Sequence, residues 1–185
     1  MANKRNIQFI LIMTIITLAL TACRATPTPE SEQSEWVLGL CLSTLDNPFF
    51  VTLQEGADEA AKRLDVSLVI KNAKDDANLQ NEQIQELIDQ NVSALLINPV
   101  GGETVVPAIE SANQAGIPVF TIDRSSEGGE IVSHITSDNQ AGGHMAGEYI
   151  AEVISEAGNV VELVGIPETS AAKERGAGFN QSMET

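Results

Sequence analysis

The stretch Val37-Leu38-Gly39-Leu40-Cys41-Leu42-Ser43-Thr44-Leu45-Asp46-Asn47-Pro48-Phe49-Phe50 decides the fold. Its first six residues are apolar without alternation, the signature of a strand buried on both faces. A polar turn follows, and Pro48 opens a helix over 49–64. In that segment Phe50, Leu53, Ala57, Ala60, Ala61 and Leu64 recur at helical spacing on one face. A nucleotide-binding unit would carry a glycine-rich turn between strand and helix so that backbone could approach pyrophosphate. Here the turn ends instead on an amide and two adjacent aromatics.

Downstream the same unit repeats. Residues 67–70 read as a second strand, and 79–89 as a helix with Leu79, Ile84, Leu87 and Ile88 inward. Residues 94–97 form a third strand stopped by Asn98-Pro99. A helix over 105–115 is closed by Gly116, and strands over 118–122 and 131–135 follow. Strict alternation with buried strands predicts an α/β fold, a parallel sheet with helices on both faces. A second cycle then opens, with a helix over 141–154, a strand over 160–164 and a helix over 171–182.

Upstream, Lys4 and Arg5 precede an uncharged apolar run over 7–20. That run is short for a membrane span of about 20 residues and has the flanks of a signal-peptide core. It ends Leu20-Thr21-Ala22-Cys23, which resembles the lipobox of bacterial lipoproteins. The resemblance implies a signal peptide over 1–22 and lipid attachment at Cys23. Several acyl chains on one residue anchor stably where a single chain is marginal. Residues 23–35, rich in Thr, Pro, Ser, Gln and Glu, read as a flexible tether.

Across 185 residues the formal charge is −16, and loss of Lys4 and Arg5 with the signal leaves −18. So acidic a chain argues against nucleic acid as partner, because phosphate binding needs a basic surface. The second cysteine, Cys41, lies in an apolar run and reads as a small buried hydrophobe. His134 and His144 are isolated from one another and read as structural or surface residues, so neither a metal nor another cofactor is expected.

In parallel sheets ligands lie beyond the carboxyl ends of the strands. After the first strand stand Asn47, Phe49 and Phe50. Ring faces suit the C–H face of a sugar and an amide suits its hydroxyls, but Asn47 capping a helix with both rings in the core is an equal reading. After the fourth strand stand Asp123 and Arg124. A carboxylate and a guanidinium fork can chelate vicinal hydroxyls, or simply pair with each other. In the second cycle Arg175 could enter a cleft, or belong to a solvated face with Lys173 and Glu174.

Taken together, Ser43 through Phe50, Leu96-Ile97-Asn98-Pro99, Thr121-Ile122-Asp123-Arg124, Val132 through Asn139, and Thr169 through Gly176 resemble the pentose- and hexose-binding branch of the periplasmic binding proteins, its ribose-binding members above all. The resemblance runs from about Trp36 to the end of the chain. It implies a two-lobe, type I binding fold, with a first lobe over 36–137 and the start of a second over 138–185. It implies that Asn47, Phe49, Phe50, Asp123, Arg124 and Arg175 bind the sugar, with the two Phe rings sandwiching it. Ser137 and Asp138 fall at the first hinge crossing. The expected function is ribose binding for an ABC importer by a monomer, anchored at the cell envelope and serving membrane permease subunits, and not catalysis. Allose, galactose or inositol is the alternative ligand, and a sugar-sensing repressor core the alternative class. The family's remaining second-lobe ligands have no counterpart here, so these 185 residues are expected to bind ribose more weakly than a complete relative.

Overall fold

The computed structural model describes residues 36–184. The expected signal peptide, the lipid site at Cys23 and the tether to Glu35 lie outside the described residues. Five parallel strands form one sheet: β1 (Val37–Leu42), β2 (Ser67–Asn72), β3 (Ala94–Ile97), β4 (Val119–Ile122) and β5 (Ser133–Ile135), in the order β2-β1-β3-β4-β5. Five helices accompany them: α1 (Pro48–Leu64), α2 (Ala77–Asp89), α3 (Val106–Gln114), α4 (Asn139–Val153) and α5 (Ser170–Met183). Strand order reverses between β1 and β3, and this switch point is where α/β sheets open a crevice.

One face of the sheet carries the main core. Ile84 and Leu87 of α2 and Ile109 and Ala112 of α3 pack on Cys41, Leu95, Ile97 and Val119, all fully buried. Each such aliphatic side chain contributes about 1.5–3 kcal/mol by leaving water. Leu40 and Leu42, alternating with Cys41 along β1, are buried against the opposite face.

Local signals set the helix ends. Asn47 caps α1, its side chain accepting from the Phe49 N–H at 3.0 Å, and Pro48 occupies the first turn, where no backbone donor is needed. Asp76 caps α2 and accepts from the N–H groups of Asn78 and Leu79, which starts that helix two residues earlier than its apolar spacing indicates. After α3, Gly116 takes φ +74°, the left-handed turn for which glycine has no steric cost.

Three expectations fail. Leu79 is only half-buried, and Gln80 takes the inward position. Gln80 Nε2 donates to the Asn98 carbonyl at 2.9 Å and its Oε1 accepts from the Val100 N–H at 2.8 Å, which serves backbone that leaves the sheet. Leu64, at the end of α1, is 66% exposed; α1 lies on β2, an edge strand whose own residues are half-buried. Residues 160–164 form no strand. An extended segment becomes a strand only by pairing its backbone, and among the described residues this one has no neighbour, leaving Val161 and Leu163 85% and 93% exposed.

Candidate functional site

The carboxyl ends of β1, β3 and β4 converge on Asn98, which is fully buried. Its Oδ1 accepts from the Ser43 N–H at 3.2 Å and from Ser43 Oγ at 2.6 Å. Its Nδ2 donates to the Ile122 carbonyl at 3.0 Å and lies 3.5 Å from Asp123 Oδ2. One amide thus ties three strand ends together, and all of it is satisfied, as burial requires. Sequence reading assigned Asn98 only a strand-stopping role. The available signal was a polar side chain directly after a buried strand.

Asp123 occupies a three-residue turn closed by the Arg124 N–H donating to the Ile122 carbonyl at 2.7 Å, with φ +63°. This is a sparsely populated conformation for a residue with a side chain, of the kind that collects where ligands are held. Arg124 is fixed from three sides. Its Nη1 donates to the Pro99 carbonyl at 3.2 Å, its Nε lies 3.8 Å from Asp123 Oδ2, and its guanidinium carbon stands 5.2 Å from the centre of the Phe50 ring. Burial pulls its pKa below the ordinary value, and the charges of Asp123 and Asp75 oppose that shift.

Phe49 and Phe50 meet edge to face, ring centres 5.3 Å apart at 75°. A sugar ring cannot enter between two rings in contact, so the expected sandwich by this pair is replaced by one aromatic wall. Phe50 is buried beneath it and Phe49 is 56% exposed. Asn47 Oδ1 caps α1, and its Nδ2 makes no hydrogen bond among the described residues.

A cleft of about 520 Å³ opens over these groups. Asn47, Phe49, Phe50, Asp123 and Arg124 line it from the sheet side, and Arg175 with residues 162–166 from the other. All six residues singled out in the sequence therefore border one volume. The two sides also touch directly. The Gly102 N–H donates to the Glu168 carbonyl at 3.3 Å, the Ser125 N–H to Ser170 Oγ at 2.9 Å, and Lys173 Nζ pairs with Glu127 Oε1 at 2.6 Å. Ser137 and Asp138 lie where the chain passes from β5 to α4, and Asp138 caps α4 through the Ala141 N–H at 2.9 Å. Both histidines are engaged away from the cleft: His134 Nδ1 shares a 2.8 Å hydrogen bond with Thr121 Oγ1, and His144 pairs with Glu148 at 3.5 Å.

Comparison with known proteins agrees with this fold. Residues 38–185 match the periplasmic binding protein domain family. The ribose import binding protein of Bacillus subtilis is 42% identical over 175 residues, covering 91% of this chain and 57% of that protein. Its Escherichia coli counterpart is 41% identical over 169 residues, again covering 57% of that protein. Among solved structures, the fructose-binding periplasmic domain of a hybrid two-component system superposes with a TM-score of 0.75 at 31% identity, over 80% of this chain and 50% of that one. These relatives are named as binding proteins and domains, not enzymes, and the chain spans a little over half the length of the curated ones. By family match, identity and sheet topology alike, this chain belongs to the periplasmic binding protein family.

Proposed function

We propose that the chain is the sugar-binding part of a lipoprotein that serves an ABC-type importer. It takes D-ribose or a closely related monosaccharide between a first lobe, residues 36–137, and the second lobe begun by 138–185. The observation that carries this reading is the convergence of Asn47, Phe49, Phe50, Asp123, Arg124 and Arg175 on one cleft. Phe49 offers an exposed ring face to the C–H face of a sugar. Asp123 accepts hydroxyl protons, and Arg124 and Arg175 donate to hydroxyl oxygens from opposite sides. Arg124 is already immobilised by Pro99 and Phe50, so little ordering entropy remains to be lost on binding. A ligand that touches both sides favours the closed arrangement over the open one, with the turn around Ser137 and Asp138 as the hinge. The closed form is then the one a membrane permease reads. The working unit is a monomer.

The choice of ribose rests on the identity gradient. Relatives named for ribose import reach 42% identity, whereas those named for D-apiose stand at 34% and 31% and one named for xylitol at 29%. Another sugar or a polyol is the remaining alternative. A thermal-shift panel of D-ribose, D-allose, D-galactose and myo-inositol separates them, because a ligand raises the melting temperature only by binding the folded state. The largest rise is expected with ribose and is lost in Arg124→Ala. A larger rise with another sugar reassigns the specificity, and no rise with any of them contradicts sugar binding. Anchoring through Cys23 at the cell envelope is tested by metabolic palmitate labelling, which Cys23→Ser should abolish.

A further inference from the structure

A line of hydrogen bonds runs from the sheet side of the cleft to the helix side. The Asp123 carbonyl accepts from Thr136 Oγ1 at 2.9 Å, Thr136 Oγ1 accepts from Asn139 Nδ2 at 3.3 Å, and Asn139 Oδ1 accepts from Arg175 Nε at 2.9 Å. Asn139 Nδ2 lies also 3.2 Å from Glu174 Oε2. Asn139 is only 3% exposed although it opens a helix. Capping does not explain its burial, because Asp138 performs that task.

We propose that Asn139 is the positioning residue for Arg175, holding its guanidinium at the cleft and in register with Asp123 across the hinge. The functional sense of this rests on the sugar-binding reading of Asp123 and Arg175, but the geometry does not. An arginine side chain has about 2 kcal/mol of rotamer entropy to lose. Its guanidinium is planar, so a fixed acceptor on Nε sets the plane of the whole fork and leaves the two Nη groups to a ligand.

The backbone at the base of that side chain is fixed as well. Helices α4 and α5 approach so closely that a Cβ at Gly143 would overlap the Arg175 carbonyl, and one at Gly178 would overlap the Gln140 carbonyl. The acceptor is moreover a neutral amide. Glu174, whose carboxylate stands next to it, takes the amide's N–H instead. Asn139 therefore separates that carboxylate from the guanidinium and keeps the arginine's charge for the cleft.

The test is proton exchange at the Arg175 Nε–H in the full chain without ligand, followed by ¹⁵N NMR and assigned by its disappearance in Arg175→Lys. In the wild type, exchange should be at least about tenfold slower than for a free arginine, the slowing that a closed hydrogen bond imposes. Asn139→Ala should abolish that protection, whereas Asn139→Asp, which keeps the acceptor, should retain it. Exchange at the free rate in the wild type, or undiminished protection in Asn139→Ala, overturns the proposal. The wild-type measurement decides even if the alanine variant does not fold. A parallel D-ribose titration separates the two claims. Protection with no ribose binding at any concentration defeats the sugar reading and leaves the positioning role standing.

Discussion

Between β1, β3 and β4 and the helices α2 and α3, Leu87, Leu95, Ile97 and Ile109 lose all contact with water. The buried residues of α4 and α5 are of another kind: Ala171 apart, they are Gly143, Gly147, Gly178, Ser182 and Asn139. The first contact is held by apolar area, which is non-directional and scales with the surface removed from water. The second is held by backbone lying on backbone and by a polar network, both of which depend on direction. The difference separates two tasks. The sheet unit supplies stability and a fixed floor carrying Asp123 and Arg124. The helix pair supplies little apolar burial but fixes where Arg175 stands.

Chemical reactivity is the largest effect that separates the two regions. Burial pushes the Cys41 thiol from 9.0 up to about 12. In a Cys23→Ser chain, native Cys41 should react with a thiol reagent at pH 9 at least about a hundredfold more slowly than after denaturation, because each unit of pKa is tenfold in thiolate. The sign for stability follows from the raised value. The folded state holds its proton where the unfolded state loses it, so this contribution is complete below pH 9.0 and declines as pH rises toward about 12. Fast labelling of the native chain would show that the sheet core is open.

Next in size is truncation within the core. Leu87→Ala should cost about 2–5 kcal/mol in urea denaturation, whereas Leu163→Ala, in the exposed segment, should stay within about 0.5 kcal/mol. Gly143→Ala should cost about 1–3 kcal/mol by overpacking. Its diagnostic is hydrogen exchange: amides of α4 and α5 lose protection while those of β1 and β3 keep theirs. Equal loss in both regions would mean that they unfold as one unit and that the division of tasks is wrong. The smallest effect belongs to Glu127→Gln, which removes an exposed pair and should leave the urea midpoint unchanged within error, in low salt as in high.

What could be read before the structure follows the same division. Strands and helices were legible because buried strands and amphipathic helices leave local patterns; for the six cleft residues the local pattern left two readings open, and the family resemblance supplied the choice. The roles of Asn98, Gln80 and Asn139 were not legible, because each is defined by partners 18 to 55 positions away. The strand expected over 160–164 shows the converse. Its apolar composition is local, but a strand exists only with a neighbour, and none is found among the described residues. The phenylalanine sandwich failed for a related reason, since adjacency in sequence does not state the angle between two rings.

Sugar binding of this kind requires one ligand held from both sides of the cleft at once. A D-ribose titration of the full chain followed by ¹H–¹⁵N NMR tests it most directly. Saturable shifts are expected at Asn47, Asp123 and Arg175 that share one Kd weaker than micromolar, that is, less favourable than about −8 kcal/mol. Shifts confined to one side, different Kd values on the two sides, or no saturable shift would contradict it.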